Sequence, residues 1–114
     1  MTSPDPFSLE GKTIFVTGAG SGLGAATCEL LARDGANLVL ADIDAARARR
    51  QAEKLPNQAL ALEVDVGNES QVAAALQQAV ATFGGLDAVV NNAAIDITVP
   101  IDELPVADWE RVLR

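Results

Sequence analysis

Apolar positions along this chain gather in short, nearly continuous runs, and between those runs they recur at the three-and-four spacing of a helix. Residues 12–18 (KTIFVTG) are apolar and rich in β-branched side chains, which predicts a buried strand. Residues 22–35 (GLGAATCELLARDG) carry apolar side chains at helical spacing and end on a glycine suited to a helix C-terminus. Residues 36–42 (ANLVLAD) predict a second strand. Residues 44–55 (DAARARRQAEKL) predict a helix opened by an aspartate cap and stopped before Pro56. A third strand is expected at 58–66 (QALALEVDV), an alanine-rich helix capped by Asn68 or Ser70 at 68–84, and a fourth strand at 86–94 (LDAVVNNAA). After Ala94 come a loop with Pro100 and Pro105 and a helix start near Ala107 or Asp108 that runs to Arg114.

Strands alternating with helices of this length predict βαβ units and a parallel sheet. Continuous rather than alternating apolar strands predict helices on both faces of that sheet. The fold class is therefore α/β, a Rossmann-like doubly wound sheet with expected strand order 3-2-1-4. Its domain is expected to span residues 9–114, behind a loose arm at 1–8 that holds Pro4 and Pro6.

Composition narrows the possible partners. The 114 residues suffice for one domain, and no apolar run approaches the ~20 residues of a membrane span. Sixteen acids against eight bases give a net charge of −8, which disfavours nucleic acid and anionic membrane surfaces as partners. A cytoplasmic location is the default expectation for such a chain. The bases Arg47, Arg49 and Arg50 cluster once and read as a solvated helix face. The lone Cys28, in AATCELLA, reads as a small packed residue, and without histidine a transition-metal site has little to build from.

The stretch IFVTGAGSGLGAAT, 14–27, places glycines where the first strand hands over to the first helix. Glycine weakens both elements by roughly 0.5–1 kcal/mol in interior positions, so a compensating role is expected. Such a turn delivers unpaired backbone N–H groups and the positive end of a helix dipole to one spot, which favours a pyrophosphate. Two registers satisfy a nucleotide pattern: Gly20, Gly22 and Ala25 as G-x-G-x-x-A, or Gly18, Gly22 and Gly24 as G-x-x-x-G-x-G. A P-loop is excluded, because no Lys-Ser or Lys-Thr pair follows. Asp42, about twenty residues on at the end of the second strand, is placed to accept from ribose hydroxyls and to repel a 2′-phosphate.

TGAGSGLG (17–24), the pair Asp65–Val66 and NNAA (91–94) together resemble the short-chain dehydrogenase/reductase family, in its order and roughly its spacing. The family usually has NNAG, so Ala94 is a departure. The resemblance implies a Rossmann fold that holds a nicotinamide dinucleotide for hydride transfer between cofactor and an alcohol or carbonyl. It implies that Gly18, Ser21, Gly22, Leu23 and Gly24 form the pyrophosphate turn, with Ser21 to Leu23 approaching the nicotinamide. Asp42 would hold the adenosine ribose and Ile43 lie beside the adenine. Asp65 would accept from the adenine amino group, with Val66 on the ring, and Asn92 and Ala93 would sit by the nicotinamide ribose. Asp65 also fits a plain turn residue. Family members that prefer NADP resemble this chain but often carry a base in place of Ser21 or beside Asp42; neither is present here, so NAD is expected.

The family's chemistry depends on serine, tyrosine and lysine, with Y-x-x-x-K, and this chain contains no tyrosine. The chain is thus expected to be inactive alone, with no catalytic residue of its own, and a small alcohol or carbonyl substrate only where a C-terminal half supplies the rest. Three readings stay open: a dehydrogenase represented by its N-terminal part, a stand-alone nucleotide-binding module, or an interaction fragment. The end in mid-helix, with Trp109, Val112 and Leu113 and no stop signal, favours the first. The apolar edge of the fourth strand carries no lysine, proline or bulge, so self-association is expected.

Overall fold

The computed structural model describes residues 8–92. They form β1 (Thr13–Thr17), α1 (Gly22–Arg33), β2 (Asn37–Asp42), α2 (Ala45–Glu53), β3 (Ala59–Glu63), α3 (Glu69–Phe83) and β4 (Ala88–Val90). The sheet has 4 strands in the order β3-β2-β1-β4, with all neighbours parallel, as expected. The expected loop and helix beyond Ala94, and Trp109 within it, lie outside the described residues.

Each strand sends alternate side chains to opposite faces. Ile14, Val16, Leu38 and Leu40 pack with Cys28 and Ala32 of α1 and Ala48 of α2. Phe15, Val39 and Ala41 face the other way and pack with Ala75 and Ala79 of α3. Both faces are covered, which is why the central strands read as continuous apolar runs. Small residues on the helices let them lie close to the sheet; Cys28, Ala48 and Ala79 are completely buried.

Helix boundaries follow the local signals. Asp44 caps α2 by accepting from the Arg47 N–H at 3.1 Å, and Asn68 caps α3 by accepting from the Gln71 N–H at 3.1 Å. Gly84 ends α3 in the left-handed region at φ 82°. Two strands are shorter than their apolar runs, and side chains bond to the backbone at their ends. Before β4, the Thr13 N–H donates to the Asp87 carboxylate at 2.8 Å, and after it the Asn92 N–H donates to the Thr17 hydroxyl at 2.9 Å. Beyond β3, the Asp65 N–H donates to the Gln71 side-chain oxygen at 2.8 Å.

Candidate functional site

Parallel strands deliver all their C-terminal ends to one edge of the sheet, and the described candidate residues stand there. Gly18, Ser21, Gly22, Leu23 and Gly24 follow β1. Asp42 and Ile43 lie at and just past the end of β2, Asp65 and Val66 follow β3, and Asn92 follows β4. Ala93 lies outside the described residues. An open parallel sheet binds ligands at this edge, next to the point where strand order reverses, here between β1 and β4.

The glycine turn resolves its own register. Gly18 and Gly22 take φ of 62° and 60°, a left-handed backbone that side chains disfavour. Gly24 lies against the next layer of chain: a Cβ there would collide with the Gly18 carbonyl oxygen and stand 2.7 Å from the Asn92 side-chain nitrogen. The operative pattern is therefore Gly18, Gly22, Gly24, which draws the start of α1 onto the end of β1 and brings Asn92 beside it. Gly20 serves a separate contact, since its Cβ would stand 2.7 Å from Asp42 Oδ2.

Ser21 occupies the N-cap position of α1 in extended conformation, but its side chain makes no capping bond, and the first turn holds no acid. The backbone N–H groups of that turn and the helix dipole thus meet no compensating charge from α1 itself. This is what an anion-binding helix start requires.

Asp42 is 7% exposed and both its oxygens are engaged. Oδ2 accepts from the Gly20 N–H at 2.8 Å, and Oδ1 accepts from the Asp44 N–H at 2.9 Å. A carboxylate offers about four lone-pair positions, so capacity for two more donors remains. These bonds tie the glycine turn to the end of β2 and aim the carboxylate. They also separate the roles of the two acids: Asp42 holds the turn, and Asp44 caps the helix.

Asp65 does serve as a turn residue, with Oδ1 accepting from the Gly67 N–H at 2.9 Å. Leu23 and Ile43 are 73% and 67% exposed, and Val66 is also exposed, so apolar surface lines the edge of the site. Cys28 lies behind it in the core; burial, with Glu29 adding, pushes its thiol up to about 11, so it stays protonated and inert. No cluster of metal-ligating side chains occurs among the described residues.

Two participants escaped the sequence reading. Thr17 accepts the Asn92 N–H and steers the chain out of β4. Arg47, read there as part of a solvated face, reaches back to the glycine turn, with Nη1 3.5 Å from the Ser21 hydroxyl and Nε 3.2 Å from Asp44 Oδ2. A signal for it exists: a cation in the first turn of a helix opposes the dipole and calls for another reason to be there.

Residues 12–114 match the short chain dehydrogenase family. The chain belongs to it.

Within this family, the chain is 47% identical over 109 residues to the cis-4-hydroxycyclohexanecarboxylate dehydrogenase of Sinomonas cyclohexanicum, covering 90% of this chain and 43% of that protein. The structure of the 3-ketoacyl-(acyl-carrier-protein) reductase from Brucella melitensis complexed with NADH superposes with a TM-score of 0.86 at 37% identity, over 93% of this chain and 44% of that one. A blue fluorescent protein from a metagenomic library, in complex with NADPH, gives 0.84 at 35% identity, over 92% of this chain and 45% of that one. The chain thus spans less than half the length of these relatives. Short chain dehydrogenases bind nicotinamide dinucleotides, and the residues here fit such a group on their own geometry: left-handed glycines, an uncapped helix start, and an aimed carboxylate one strand away.

Proposed function

We propose that this chain is the cofactor-binding part of an NAD(H)-dependent oxidoreductase acting on a small alcohol or carbonyl compound. The observation that carries this reading is the Asp42 carboxylate, held by the Gly20 and Asp44 N–H groups beside the uncapped start of α1. The turn through Ser21, Gly22 and Leu23 would hold the pyrophosphate at the uncapped start of α1. Asp42 would accept from the adenosine ribose, Ile43 and Val66 would flank the adenine, Asp65 would accept from its amino group, and Asn92, with Ala93 by family resemblance, would serve the nicotinamide ribose. When bound, the dinucleotide supplies a hydride donor or acceptor. This chain's residues bind and orient it; with no tyrosine among them, the proton donor and the substrate pocket come from elsewhere in the protein.

In this reading residues 9–114 are one dinucleotide-binding domain, 1–8 an arm, and the protein works in the cytoplasm. Among the described residues no helix is long and apolar enough to cross a membrane. Taken alone, the 114-residue chain self-associates through β4, whose Val89 is exposed at the edge of the described sheet. Light scattering after gel filtration at micromolar concentration checks this; a folded monomer across a tenfold concentration range refutes it.

Titration calorimetry with NADH and NADPH tests the cofactor. NADH is expected to bind roughly ten- to a hundredfold more tightly, the scale of one charge repulsion at a partly exposed site. Asp42→Ala should erode the preference. Equal affinities in the unaltered chain would refute the role given to Asp42.

A further inference from the structure

We infer that Gln71 is a positioning residue for the adenine: its side-chain carbonyl fixes the Asp65 backbone and so aims the Asp65 carboxylate at the base. This deepens the adenine role proposed for Asp65, on which it rests, by naming what holds that carboxylate in place.

The ladder of β3 shows why a holder is needed. β3 lies at an edge of the sheet beside β2, and the N–H groups of such a strand point alternately toward its neighbour and away from it. The Val64 N–H donates inward to the Asp42 carbonyl at 2.9 Å. The Asp65 N–H therefore points outward, where no strand stands among the described residues. Gln71, in the first turn of α3, supplies the acceptor, with Oε1 taking that N–H at 2.8 Å.

This is not the bond that helix capping calls for. Gln71 follows the Asn68 cap at the position from which a glutamine ordinarily reaches back to the N–H of the cap residue. Here the Asn68 N–H donates to the Asp65 carbonyl at 2.9 Å, and Gln71 extends past it to Asp65. The side chain is diverted from the helix to the loop.

Asp65 is thus fixed through its N–H by Gln71, through its carbonyl by Asn68, and through Oδ1 by the Gly67 N–H at 2.9 Å. A carboxylate offers about four lone-pair positions, so Oδ2 can still accept an amino N–H of the base. Asp65, Val66, Gly67 and Gln71 are all exposed. Bonds made in the presence of water add little to stability, and their effect is to restrict the carboxylate before a ligand arrives.

The test is calorimetry on the full 114-residue chain with NADH and with reduced nicotinamide hypoxanthine dinucleotide, in which oxygen replaces the adenine amino group. The unaltered chain should prefer NADH. Gln71→Leu keeps much of the side-chain volume and removes the acceptor. It should weaken NADH about fivefold, the scale of one hydrogen bond, and the analogue by about twofold at most, so that the preference narrows. Gln71→Glu retains an acceptor oxygen and should keep the preference of the unaltered chain. In an Asp65→Ala background, Gln71→Leu should have no further effect. Equal weakening of both ligands by Gln71→Leu marks a merely structural glutamine and overturns the role of Gln71. An unchanged NADH affinity, or a Gln71→Glu chain that behaves like Gln71→Leu, overturns it too. If Asp65→Ala leaves the preference for NADH intact, the adenine role of Asp65 fails and the role of Gln71 with it. Failure of the unaltered chain to bind NADH overturns the cofactor reading as a whole.

Discussion

The starts of α1 and α3 solve the same problem in opposite ways. Both helices leave the C-terminal edge of the sheet with backbone N–H groups that lack intrahelical partners. At α3 the chain answers with its own side chains: Asn68 accepts from the Gln71 N–H, Gln71 reaches back to the Asp65 N–H, and Glu69 places negative charge in the first turn. At α1 it answers with none of these. Ser21 makes no capping bond, the first turn holds no acid, and Gly24 brings the helix start against the Gly18 carbonyl. A helix start that satisfies itself is stable and closed to anions. One that does not keeps its field directed outward and relies on packing for stability, here the contact of Gly24 with Gly18 and the bond from Gly20 to Asp42. α2 stands with α3, capped by Asp44.

The difference can be broken most severely at Gly24. Gly24→Val would drive a side chain into the Gly18 carbonyl and the Asn92 amide, both fixed by the sheet. A loss of about 3 kcal/mol or more is expected in urea unfolding, at the upper end of overpacking. Unchanged stability would mean that α1 is free to slide off β1.

Ser21→Asp converts α1 toward the design of α3. The new carboxylate would cap the first turn and occupy the field that a pyrophosphate uses. NADH affinity should fall roughly ten- to a hundredfold by calorimetry, while stability rises by about 0.5–1 kcal/mol. Tighter NADH binding in this variant would show that the pyrophosphate does not lie there.

At α3 the converse change should touch stability alone. Asn68→Ala removes the cap and should cost about 1 kcal/mol in chemical denaturation, with NADH affinity unchanged. A matching loss of affinity would join the α3 cap to the site.

The smallest expected effect is a pH dependence at α2. The Arg47 backbone N–H, accepted by the Asp44 carboxylate, holds that carboxyl below its ordinary 3.8, with the Arg47 charge adding. A lowered folded value means that the stabilisation is present above the unfolded value and fades as pH falls through the folded one. Acid unfolding below about pH 4 should therefore be slightly less steep in Asp44→Asn, which keeps a cap and loses the titration. An NMR titration placing the Asp44 carboxyl above 3.8 would contradict this.

The features legible from sequence are those whose physics is local or periodic. Asp44 and Asn68 cap helices through bonds that span three residues, so a short window contains both partners. The βα alternation is written in the apolar period, and the strand order followed from the doubly wound topology that the alternation implies. The position of Asp42 was readable as well, because a strand end one βα unit beyond a glycine turn is a matter of counting.

Tertiary structure decided what depends on the register between distant segments. Two glycine patterns fitted the sequence equally; the choice fell to Gly18, Gly22 and Gly24 only when the helix was packed on the strand and Asn92 arrived from β4. The ends of β1 and β4 are tied by the Asp87 and Thr17 side chains across more than seventy positions of chain. Arg47 met Ser21 across 26 positions, through the pairing of β1 with β2 and the direction in which α2 leaves Asp44. Periodicity and composition carry no term for such meetings. They arise where parallel strand ends converge, and that convergence is a property of the sheet rather than of any stretch of chain.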